Sequence, residues 1–95
     1  MNIKELKSIS KNKLLKFDGV EDAYNKLIEN LIETASRGNT AKFIYKVEYN
    51  DEVIWYFLLR VLLLDGYKLN CFKYDKHEVN EGFDIADYVE VSWAE

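Results

Sequence analysis

Ninety-five residues carrying 48% hydrophobic and 15% aromatic side chains describe one small folded domain and exclude a chain disordered throughout. A single cysteine, Cys71, excludes an internal disulfide and a cysteine-based zinc site, and suits a reducing compartment. The net charge of −4 is split between a lysine-rich start (Lys4, Lys7, Lys11, Lys13 and Lys16 against Glu5) and an acidic end (seven acids against Lys76 over residues 75–95), a distribution that does not point to nucleic acid as the partner.

Residues 1–16 read as a lysine-rich N-terminal segment with a weak helical stripe of Ile3, Leu6, Leu14 and Leu15. They lack the apolar run of a signal peptide, so a cytoplasmic location is expected. The remainder, 17–95, reads as a single α+β domain. Asp18 and Glu21 have the spacing of a helix N-cap box. The helix after them places Tyr24, Leu27, Ile28, Leu31, Ile32 and Ala35 on one face, and Gly38 supplies the stop. Alternation then predicts a strand over Ala41–Tyr49, with Phe43 and Val47 facing inward and Lys42, Ile44 and Lys46 facing outward.

Asn50-Asp51 caps a helix running to about Leu64, stopped by Asp65-Gly66. Its apolar run of about 12 residues falls short of the ~20 needed to span a bilayer, so no membrane association is expected. That helix is apolar nearly all round. Either it is central, sandwiched between the sheet and the other helices, or Trp55, Tyr56, Leu59 or Leu63 forms a homo-oligomer interface. Strands follow over Tyr67–Tyr74 and Ile85–Trp93, joined as a hairpin by the polar loop Asp75–Asp84.

The order (α)αβαββ predicts a two-layer α+β domain: a small three-stranded, mainly antiparallel sheet with helices packed on one face. Val47, Phe57, Val61, Leu69, Val89 and Val91 are the expected core. The outward sheet face then presents Lys42, Lys46, Lys68, Phe72, Tyr74 and Tyr88, a mixture of rings and cations suited to a protein partner or a flat anionic ligand. Residues 1–16 either cover this face or leave it open.

Catalysis is not expected. His77 stands beside Glu78 without a nucleophile or an oxyanion site. The glycines at 19, 38, 66 and 82 are too dispersed for a phosphate loop, and Asp84 with Asp87 is too little for a metal. No cofactor is implied.

Three short stretches carry a resemblance: Ala35-Ser36-Arg37-Gly38, Leu62-Leu63-Leu64-Asp65-Gly66-Tyr67 and Val89-Glu90-Val91-Ser92-Trp93. Through them the chain resembles the small accessory proteins encoded by bacteriophages of low-GC bacteria, over about three-quarters of its length. The resemblance implies a non-enzymatic protein of the host cell cytoplasm that works by binding. It would act as an inhibitor of a host defence component or as a sponge for a nucleotide immune signal.

Overall fold

A computed structural model describes residues 1–49, 51–74, 78–79 and 86–94. The elements are α1 (Ile3–Leu15), α2 (Val20–Ser36), β1 (Ala41–Tyr45), a short 3-10 turn (Lys46–Glu48), α3 (Glu52–Asp65), β2 (Lys68–Phe72), β3 (Glu78–Val79) and β4 (Tyr88–Ser92). The three full strands run antiparallel in the order β1-β4-β2, with the two residues of β3 added outside β2. This is the expected α+β architecture; β2 and β4 pair antiparallel as expected, but the two residues of β3 fall within the stretch expected to be a plain loop between them. His77, Asp84 and Ile85 lie outside the described residues.

The N-terminal segment is a full helix. Asn2 caps α1 by accepting the Glu5 backbone N–H at 2.8 Å. Its weak stripe is supplemented by tertiary contacts that the sequence does not announce. Leu14 is buried, and Lys11 Nζ lies 2.7 Å from Asp65 at the end of α3. The Tyr24 hydroxyl donates to the same carboxylate at 2.5 Å and accepts from Lys11 at 3.0 Å. One charge cluster therefore ties α1, α2 and α3 together on the helical side of the molecule. Burial alone would lower the Lys11 pKa, but its hydrogen bonds to Asp65 and Tyr24 outweigh that and raise it. Burial, then the bond to Asp65, raises Tyr24.

Gly19, not Asp18, occupies the N-cap of α2, with φ of 84° and no side-chain cap. The left-handed backbone favours glycine, and a Cβ there would stand 2.7 Å from the tip of the Ile54 side chain on α3, which would have to shift. Gly66 closes α3 with φ of 100°. Its N–H bonds to Leu63 O and that of Tyr67 to Leu62 O, so the chain leaves the helix directly into β2.

The core lies between the sheet and α2–α3. Leu27 and Leu31 of α2 and Trp55, Leu58, Leu59 and Leu62 of α3 pack with Ile44, Cys71, Val89 and Val91 of the sheet. On its other side α3 buries Val61, and Phe57 meets Phe17 with ring centroids 4.4 Å apart at the α1–α2 turn. The helix is thus the central one, which explains apolar residues around most of its circumference. Trp55 and Leu59 are spent in the chain's own core, whereas Tyr56 and Leu63 stay exposed.

The expected inward face of β1 is corrected. Ile44 is 3% exposed and Val47 70% exposed, so the strand has the opposite phase, with Phe43 outward. The alternation also stops at Tyr45, where the 3-10 turn begins, and Val47 sits on that turn rather than in a strand. Val47 is therefore outside the core and Phe57 at its margin, while Val61, Leu69, Val89 and Val91 are buried or packed against it.

Candidate functional site

Each strand sends alternate side chains to the face opposite the helices. The register fixes which ones: Tyr45, Tyr88 and Phe72 stand side by side in one row across β1, β4 and β2. Phe43, Glu90 and Asn70 form the next row, and Ala41, Ser92 and Lys68 the third. Tyr74, just past β2, is brought over the first row because its backbone N–H donates to the Asp87 carboxylate at 3.0 Å.

The result is a patch of aromatic rings. Phe72 and Tyr88 stack with centroids 5.2 Å apart and planes 12° from parallel. Tyr45 stacks on the other side of Tyr88 at 5.6 Å, and Phe43 and Tyr74 close around it at 6.0 Å each. Offset and tilted ring pairs at these spacings are favourable in themselves, so the patch is held in place before any partner arrives. Phe43 remains 45% and Tyr74 57% exposed. The α1 segment packs against α2 and α3 and does not cover this face.

The charges beside the rings nearly cancel. Glu90 accepts a hydrogen bond from the Asn70 side-chain amide at 3.0 Å, and Lys68 stands one row further on. The surface is therefore apolar and aromatic at one end of the sheet and polar but almost neutral at the other.

Of the residues singled out from the sequence, the structure brings together Phe72, Tyr74 and Tyr88, with Lys68 on the same face. It separates the other two. Lys42 pairs with Val91, whose side chain is fully buried, and so lies on the helix side of β1. Lys46 belongs to the 3-10 turn, with Nζ 3.3 Å from Glu52. The displacement of Lys42 follows from the phase of β1, and that of Lys46 from the 3-10 turn that ends the strand. Phe43 and Tyr45, which the sequence reading did not assign to the face, complete it. Their signal was ambiguous, because Phe43, Tyr45 and Val47 form a more apolar alternation than Lys42, Ile44 and Lys46 and so mimic a core-facing set.

The chain matches no family model, no curated protein and no solved structure. Its candidate chemistry rests on its own geometry. Among the described residues no group of three His, Cys, Asp or Glu is placed to hold a metal. The Asp87 carboxylate is engaged by the backbone of Tyr74. A hollow of about 490 Å³ lined by Ile9, Asn12, Lys13, Lys16 and Phe17 lies on the helical side of the molecule. No described helix is long and apolar enough to cross a membrane.

Proposed function

We propose that this chain is a non-catalytic binding protein that recognises a protein partner through the outer face of its sheet. The observation that carries the reading is the preassembled ring patch of Phe43, Tyr45, Phe72, Tyr74 and Tyr88 on a face no described helix covers. Exposed aromatic surface of this kind is costly to leave in water and is the composition of protein interface centres. By the resemblance noted above, the partner is a component of a bacterial defence system, which the chain inhibits by direct contact.

The alternative is a sponge for a nucleotide signal, with rings stacking a base and lysines holding phosphate. Its cations are the difficulty. Of Lys42, Lys46 and Lys68, only Lys68 shares the face with the rings, and Glu90 stands beside it in the neighbouring row. A phosphate placed there meets one lysine and one carboxylate, which favours the protein partner.

The test uses a strain whose defence system blocks plating of a phage, with the chain expressed in trans. Wild type raises plating, Tyr74→Ala abolishes the effect, and the Lys42→Ala, Lys46→Ala double variant retains it. Calorimetry with ATP and cyclic dinucleotides gives no binding heat. Nucleotide binding that Lys68→Ala abolishes overturns the reading.

A further inference from the structure

Glu90 puts a carboxylate beside the rings. It is the central residue of β4, the strand that lies between β1 and β2, and the register sets it between Phe43 and Asn70. Tyr88, the hub of the ring stack, stands two residues back on the same strand and the same face. The Phe43 ring leans over β4: its centroid comes within 6.1 Å of that of Phe72, although β1 and β2 are not neighbours. Glu90 is half-buried.

Its charge is not answered within the described chain. Asn70 donates to Oε1 at 3.0 Å, but that amide is neutral. Among the described residues no lysine or arginine forms an ion pair with Glu90. Lys68 stays exposed in the outer row, opposite Ser92. The charges of Glu90 and Lys68 thus cancel in sum but not in position.

We infer that the partner brings an arginine to this point, its guanidinium paired with Glu90 and laid against the rings of Phe43 and Tyr88. The inference rests on the protein-partner reading above and names the chemistry that reading requires. A surface that covers Phe43 and Tyr88 takes Glu90 out of water with them. A carboxylate desolvated without a counter-ion is costly, which disfavours a wholly apolar partner surface. A cation meets both demands, because ring faces carry the negative end of the aromatic quadrupole. Of the two cationic groups, the guanidinium fits better. It is planar, so it lies flat on a ring while its edge donates two N–H groups to a carboxylate, whereas an ammonium is a compact and strongly hydrated point charge. The same carboxylate repels a phosphate.

NMR titration of the isotope-labelled full chain with capped Gly-Xaa-Gly peptides, Xaa being arginine, lysine or the neutral arginine isostere citrulline, tests this at matched ionic strength. The arginine peptide is expected to shift the resonances of Phe43, Tyr88 and Glu90 with millimolar affinity, at least about threefold tighter than citrulline and tighter than lysine. Glu90→Gln keeps an acceptor for Asn70 and should reduce arginine to the citrulline level, with an unchanged circular dichroism spectrum. Equal affinity for arginine and citrulline overturns the inference, as does arginine binding that Glu90→Gln leaves intact or a lysine peptide that binds as tightly. In the plating assay Glu90→Gln should lose the effect as Tyr74→Ala does. Protection by Glu90→Gln alongside failure of Tyr74→Ala overturns the arginine and leaves the protein partner standing. Protection by Tyr74→Ala overturns the partner reading itself, and the arginine with it.

Discussion

Substituting Leu59 by alanine tests the placement of α3 as the central helix. Its side chain is fully buried among residues from α2, α3 and the sheet, with no route for solvent to fill the space left behind. Truncating a buried leucine removes its transfer free energy and leaves a cavity, together about 3–5 kcal/mol. A domain of this size has about 5–15 kcal/mol in total, so the variant is expected to lose about a fifth of its stability or more. The midpoint falls by roughly 12–40 °C at about 4–8 °C per kcal/mol. The control is Val53→Ala on the same helix, 51% exposed, where the change stays within about 0.5 kcal/mol. Urea unfolding followed by circular dichroism reads both, and an unchanged m-value shows that the same surface is exposed on unfolding. Equal losses for Leu59→Ala and Val53→Ala would refute the orientation of the helix.

Three further outcomes follow. Asp65→Asn removes the charge that Lys11 and the Tyr24 hydroxyl share and should cost about 1–2 kcal/mol, with Tyr24→Phe and Asp65→Asn strongly non-additive in a double-mutant cycle. The pKa of Tyr49 is raised to about 12 by burial and, secondarily, by Glu48. A raised folded-state value gives stability that is complete below the unfolded value near 10 and is lost as pH climbs through 12, and Tyr49→Phe should flatten that alkaline decline in chemical denaturation. Gly19→Ala should destabilise the domain by more than 1 kcal/mol in the same assay, because the added methyl meets Ile54 at a backbone angle alanine resists.

The order of elements was legible in the sequence because each carries local punctuation. Asp51 caps α3 by accepting the Val53 N–H at 2.8 Å, Gly66 ends it, and the α2 stripe places Leu27 and Leu31 in the core. Local signals became ambiguous where two faces are both apolar. In β1 the choice between Phe43 and Ile44 is decided by pairing with β4, a contact more than 40 residues away in the chain. That single reversal of phase exchanged the sides of Lys42 and Phe43 and hid two of the five rings of the patch. Phe72, Tyr74 and Tyr88 could be placed because Val89, Val91 and Leu69 mark the inner face of their hairpin clearly. The strength of α1 was likewise hidden, since Lys11 contributes through Asp65, a residue that read only as a helix stop.

We propose that the ring patch, rather than the helical side, meets a protein partner. A photo-crosslinking amino acid placed at Tyr74, and in a separate variant at Leu63, tests that proposal in bacterial cells that carry a phage-defence system. Both positions are well exposed and lie on opposite faces of the molecule. Crosslinking from position 74 to a discrete protein is expected, with Phe72→Ala reducing it at least tenfold and position 63 giving none. Crosslinks from position 63 alone, or crosslinks from position 74 that Phe72→Ala leaves untouched, would contradict the account.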